Sequence, residues 1–299
     1  MVDAAPPTTG GTTRRRVLAW SGLVVVVVAY VGLLVLYAVS GKTRGVGEDA
    51  TPPSGGILVQ LHAQALEGTP QRLAVDVDID AAGSLVEPNG FTLERPITVL
   101  LDPTAGSREV SYPAGQVPAV NRVELRLDGD IRNWPFDRYG ADLVIGVYDG
   151  PPSDGRPLPT TVQIDGQVQG WRIRVTERAG LGADTGLQVF LLEAGRSGDT
   201  LAFAAILLAV MVALAFTACF VSVTTIRGRR ALQPTFMSWM AAMLFATIPL
   251  RNFLPGSPPA GSWVDALVVL WVIVGLVAAL AMYVTAWYRQ GKPSDAGRA

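Results

Sequence analysis

Four long apolar segments, unevenly spaced, constrain this chain more than any other feature. One covers residues 17–39, and three are crowded into the last third, at 200–226, 231–250 and 263–288. A bilayer core takes about 20 apolar residues to cross in a helix. Each segment therefore reads as a span. Between the first and second lies a polar stretch of domain size, residues 56–199. The predicted fold class is mixed: an antiparallel, β-sandwich-like extracytoplasmic domain plus four transmembrane α-helices, one N-terminal and three C-terminal.

Positive charge sets the orientation, because Lys and Arg flanking spans stay on the cytoplasmic side. Arg14, Arg15 and Arg16 precede the first segment, Arg227, Arg229 and Arg230 separate the second from the third, and Arg289, Lys292 and Arg298 follow the fourth. If each segment crosses once, all three clusters share one side. The other side holds Lys42, Arg44, Arg196 and Arg251. The expected layout is a cytoplasmic tail at 1–16, the first span, a Gly/Pro/Ser linker at 40–55, the outer domain at 56–199, three spans, and a cytoplasmic tail at 289–299. That makes a multi-pass plasma-membrane protein with residues 40–199 outside. The first segment could be a cleaved signal, but its apolar run exceeds the 7–15 residues of a signal core. It is read as an uncleaved anchor.

Composition agrees. The 299 residues are 49% hydrophobic and 16% charged, with mean hydropathy +0.34, too apolar for an ordinary soluble domain. Only Lys42 and Lys292 are lysines, against abundant Arg, Ala, Val and Gly, a bias that fits a GC-rich actinobacterial genome. The single cysteine, Cys219, rules out an intrachain disulfide or a cysteine metal cluster. The single histidine, His62, removes multi-histidine metal sites and reads as a plain surface or half-buried side chain. No cofactor and no nucleic-acid partner is expected.

Within 56–199 the pattern is alternation. Ile57, Val59, Leu61 and Ala63 fall on one face of a strand, and Leu73, Val75, Val77 and Ile79 alternate with Asp76, Asp78 and Asp80. Residues 98–101, 122–127, 143–148, 161–164, 171–175 and 188–192 read the same way, with Gly, Pro and Asp between them. Period-two patterning bounded by turn residues indicates antiparallel sheet.

Three groups of residues carry candidate chemistry. Asp76, Asp78, Asp80 and Glu87 occupy positions 1, 3, 5 and 12 of a calcium-loop template. The template's sixth residue is Gly, whereas this chain has Ala81. The aspartates also alternate as on the wet face of a strand, and that reading is preferred. Trp134, Pro135, Phe136, Asp137, Arg138 and Tyr139 form the most distinctive polar-aromatic cluster. It reads as a structural corner, its aromatics anchored on the sheet and Asp137 and Arg138 pairing or bonding backbone, or else as a partner contact. Arg251, Asn252, Pro255, Gly256, Pro258, Pro259, Gly261 and Asp265 form an outer loop between the last two spans. Asp265 falls in the first helical turn there, where the helix dipole favours an anion.

These motifs carry a resemblance. Residues 134–139 and 250–261, followed by Asp265, resemble the uncharacterised membrane family catalogued as domain of unknown function 4436, found in mycobacteria and relatives. The resemblance implies one anchor, a β-rich outer domain and three further spans, and would cover nearly the whole chain. It implies no activity. Pro135-Phe136-Asp137 before membrane helices is also similar to the Phe-Pro-Phe-Asp stretch of pentameric ligand-gated channels. Three spans follow rather than four, and an extra anchor precedes the domain. The expected function is non-enzymatic: an envelope protein or accessory subunit that sits in the lipid bilayer and binds an envelope or membrane protein partner. The alternative is a channel- or transporter-like protein gated by the outer domain.

Overall fold

The structure is a computed structural model that describes residues 31, 32, 35, 47, 50–178 and 186–290. Most of the expected anchor at 17–39, of the linker and of the C-terminal tail, and all of the N-terminal tail, lie outside the described residues.

Among the described residues, the alternating segments and a few shorter ones form eleven strands in two sheets. β1 (Ile57–Glu67), β2 (Arg72–Ala81), β5 (Asn121–Arg126) and β9 (Thr160–Asp165) make a four-stranded sheet in the order β5-β2-β1-β9. The second sheet runs β10-β11-β7-β3-β4, from β3 (Ile97–Asp102), β4 (Glu109–Tyr112), β7 (Arg138–Asp149), β10 (Trp171–Glu177) and β11 (Leu187–Arg196). Two short strands, β6 (Asp128–Gly129) and β8 (Arg156–Pro157), pair with β7. Pairing is antiparallel throughout except for the parallel β1–β9 pair. Alternate side chains of both sheets, among them Val59, Leu61, Val75, Val77, Leu143, Ile145 and Phe190, meet in one buried core. Period-two patterning predicts this, since every second side chain of a strand points to the same face.

Last come three helices, α1 (Gly198–Ile226), α2 (Thr235–Asn252) and α3 (Leu270–Gln290), with a π-helical turn at Asp265–Val269 leading into α3. Two stretches, Gly198–Ile226 and Asp265–Arg289, are long and apolar enough to cross a membrane. Among the described residues, two of the four spans expected from sequence are candidates by length and hydropathy. The predicted segment 231–250 gives an 18-residue helix that begins only at Thr235 and carries Arg251 and Asn252 at its end. Pro249 lies inside it.

The structure has the aspartates on a strand, the preferred reading, and does not bring the calcium-loop residues together. Asp76, Asp78 and Asp80 lie along β2, and both Asp76 oxygens are taken by Arg122 on β5, at 2.8 and 3.1 Å. Arg122 holds the Asp76 carboxyl below the usual carboxylate range by that hydrogen bond. Glu87 instead accepts from Thr92 and Asn89 in a separate turn. Among the described residues no three metal-ligating side chains come together. His62 bonds to Asp165 across the β1–β9 pair.

Candidate functional site

β11 ends at Arg196, and α1 begins two residues later, at Gly198. No loop separates them. The Ser197 amide donates to the Gly170 carbonyl at 3.0 Å and the Thr200 hydroxyl donates to the same oxygen at 3.2 Å. The last strand therefore turns into α1 while still tied to the turn before β10. Whatever surrounds Arg196 joins the β-domain to the helices.

The stretch 134–139 arrives at this point by a specific route. After β6, a 3₁₀ turn at Ile131–Asn133 is capped by Asp130, whose carboxylate accepts from the Arg132 amide. Pro135 follows and cannot donate to a ladder. The chain leaves the sheet, and Trp134 drops onto the helices. It packs with Ala204 of α1, Leu254 of the α2–α3 loop and Val264. Its indole nitrogen donates to the Pro255 carbonyl at 3.0 Å. A buried indole N–H normally finds such a partner.

Three residues after Trp134, Asp137 is 1% exposed and pairs with Arg196, 9% exposed. Arg196 Nε donates to Asp137 Oδ1 at 3.0 Å and Nη2 donates to Oδ2 at 2.9 Å. The Tyr139 hydroxyl donates to Oδ2 at 3.0 Å. The guanidinium stacks on the Trp171 ring at 3.9 Å, and Tyr139 meets the same ring edge-on at 5.4 Å. Burial, then the Asp137 charge and hydrogen bond, push the Tyr139 hydroxyl far above the usual tyrosine range.

The walls of this ion pair are glycines. A Cβ on Gly256 would stand 2.2 Å from Arg196 Nη1, and Gly256 has φ +75°. A Cβ on Gly68, in the β1–β2 turn, would stand 2.8 Å from the Tyr139 hydroxyl. Both sites need glycine for close approach, and Gly256 also for its left-handed backbone.

The outer-loop residues converge next to this junction. Arg251 Nε and Nη2 donate to Asp265 at 3.0 and 2.7 Å, Nη2 also reaches the Pro258 carbonyl, and the Gly261 amide donates to Asp265 at 3.0 Å. This fork–fork pair ties the end of α2 to the π turn before α3. It holds the loop whose Pro255 carbonyl receives Trp134.

Two expectations for the corner fail. Asp137 pairs with Arg196, not Arg138, because β7 starts at Arg138 and that side chain is exposed on the opposite face. Phe136 is 75% exposed and is no part of the core. The turn Phe136 N→Asn133 O leaves its side chain outside. Arg196 and Trp171 were not singled out from sequence as site residues. A signal existed: an arginine directly before an apolar helix on the side where positive charge is scarce.

Two cavities flank Arg196. One, of about 820 Å³, lies between the β1–β2 turn, Trp171, Phe203 and the Pro255-Gly256 loop. The other, of about 760 Å³, opens on the far side over Phe136, Arg138 and Arg172. The Asp137 carboxylate accepts from three donors, the two Arg196 nitrogens and the Tyr139 hydroxyl, which fill most of its acceptor sites.

Residues 46–189 match the family model for a domain of unknown function, DUF4436. Residues 196–290 match a second, DUF8686, also a domain of unknown function. No curated protein matches the chain. The DUF4436 match covers the corner at 134–139 but stops before the loop 250–261 and Asp265, which fall in the second match, so it is narrower than the whole-chain resemblance. Asp137 lies in the first match and Arg196 opens the second.

Proposed function

We propose that this chain, whose residues 46–189 belong to the DUF4436 family, is a non-enzymatic multi-pass protein of an actinobacterial plasma membrane. Its β-domain faces outward and binds a protein or envelope partner, and its occupancy is passed to the helices. The observation that carries this reading is the buried Arg196–Asp137 pair beside the inserted Trp134. A flexible tether would be enough to display a domain. A desolvated ion pair, a bonded indole and glycine-only approaches instead make the two regions move together. Four crossings, with both termini cytoplasmic and residues 40–199 outside, are supported by the arginine clusters and by the two membrane-length helices.

Labelling and crosslinking in whole cells test both parts. In a Cys219→Ser background, Phe136→Cys should react with an impermeant maleimide in intact cells, and Arg229→Cys only after lysis. The reverse pattern would end the topology. A photocrosslinker at Phe136 should trap a discrete partner in native membranes. A purified chain that hydrolyses an envelope substrate and traps nothing would sink the non-enzymatic reading.

A second reading, a conduit gated by the β-domain, is favoured by one contact. Trp134 holds the α2–α3 loop, so movement of the β-domain would pull directly on α2. A ring-shaped oligomer that passes ions in liposomes would support it; a monomer that passes none would end it.

A further inference from the structure

We propose that Arg138 and Arg172 cradle the phosphate of an anionic phospholipid headgroup, with Phe136 against its glycerol and acyl portion. The proposal rests on the membrane reading above and adds a ligand to it.

The cradle follows from strand register. Arg138 of β7 pairs with Gly195 of β11, and Arg172 of β10 pairs with the same Gly195. Directly paired residues project to the same face of a sheet. The two arginines therefore flank a glycine in one row, their Cα atoms about 10 Å apart across two strand spacings. A Cβ on Gly195 would meet nothing within 4 Å, so the space between them is open. Both side chains are exposed, and neither stands in an ion pair among the described residues. Two guanidinium forks over an empty glycine suit a phosphodiester, whose oxygens can be shared between them.

The neighbouring charges leave this row cationic. Asp128, Gly140, Glu193 and Arg174 make the next row, so the two free-standing acids sit beside Arg174, farther from the helix. Asp142 is engaged by Arg178 at 3.2 Å, and Asp137 by Arg196. Depth points to lipid as the source of the phosphate. Leu201, in the first turns of the apolar helix α1, lines the same cavity as both arginines and Phe136. Free phosphate would satisfy the arginines but leaves Phe136, 75% exposed, without an apolar neighbour. At the headgroup boundary an exposed aromatic has one.

The test uses the full chain in detergent micelles. Binding is followed by native mass spectrometry and thermal melting with short-chain phosphatidylglycerol, short-chain phosphatidylcholine or inorganic phosphate. Phosphatidylglycerol should bind at least about tenfold more tightly than phosphatidylcholine, whose choline repels the arginines. Phosphate at the same concentration should not raise the melting temperature. Arg138→Gln with Arg172→Gln should abolish the preference while the lipid-free melting temperature holds, and Arg172→Gln alone should reduce it should the double variant fold poorly. Phe136→Ala should weaken both lipids by a few-fold and keep their ratio. Equal binding of the two lipids, a preference that survives both arginine variants, or phosphate binding that matches phosphatidylglycerol would each overturn the site. Recovery of the chain in the soluble fraction after carbonate washing would end the membrane reading. Equal binding of the two lipids by an unmodified chain that stays with the membrane ends only this proposal.

Discussion

The β-domain and the helical region place large apolar side chains differently: the first encloses most of them, while the second encloses some, such as Leu276 and Tyr283, and turns many outward. In the β-domain large aliphatics such as Ile57, Leu61, Leu101 and Leu143 are inside, and charged residues such as Arg72 and Glu124 pair outside. In the helices Phe216, Phe245, Trp271 and Tyr288 face outward, while Ala204, Ala218, Ser222, Thr247 and Ala279 are enclosed. Water drives the first arrangement, because apolar surface is costly only against water. On the membrane reading proposed above, lipid removes that drive, and helices then associate through small residues and polar bonds, as where Ser222 donates to the Ala279 carbonyl at 2.7 Å. The junction is where the two rules meet. There a buried ion pair is shielded by an aromatic ring and two glycines instead of by aliphatics.

The largest expected effect is at that meeting point. Asp137→Ala leaves Arg196 buried without its carboxylate and should cost about 3–5 kcal/mol. Thermal melting of the detergent-solubilised chain measures it. Asp137→Ala combined with Arg196→Met should cost less than Asp137→Ala alone. If both melt like the parent, the junction is no more than a contact between independent regions.

Two equally exposed phenylalanines sharpen the comparison next. Phe136 and Phe245 are both 75% exposed. If α2 crosses a bilayer, Phe245→Lys should oppose insertion by about 2.5–3.5 kcal/mol. Phe136→Lys should change β-domain stability by no more than about 0.5 kcal/mol. Membrane-inserted protein per cell gives the first and melting the second. A neutral Phe245→Lys would remove α2 as a span.

Alkaline pH should act on the β-domain. Tyr139 and Tyr112 are both raised above the usual tyrosine range, first by burial. The unfolded chain then loses these protons near pH 10 while the folded chain keeps them. Their contribution is complete below pH 10 and falls as pH rises from there toward the folded values. The melting temperature should drop between pH 9 and pH 11, and less so in Tyr139→Phe.

A small effect is also expected inside the helices. Ser222→Ala removes one interhelical hydrogen bond and should cost about 0.6 kcal/mol. A loss near that of Asp137→Ala would mean that the helices are held as the β-domain is, by expensive polar groups.

Much of this was legible in the chain itself. Alternation in β1 and β2 marked strands because one face is dry, and hydropathy marked α1 and the last helix because lipid or protein must cover them. β4, β6 and β8 went unread because two to four residues are too few for a period to show. The corner at 134–139 was found as a cluster but misread from within. Past Pro135 alternation no longer assigns faces, so Phe136 was expected inside and proved exposed.

By itself, then, the sequence determined a β-domain followed by apolar helices, and the side on which positive charge collects. Local periodicity and charge carry those facts, and each is complete within a few turns or strands. Only the tertiary structure decided what joins the two regions. Asp137 meets Arg196 across 59 positions and Trp134 meets Pro255 across 121. No local pattern records such pairs, because their energy comes from shared exclusion of water, which exists only after the distant segments have packed.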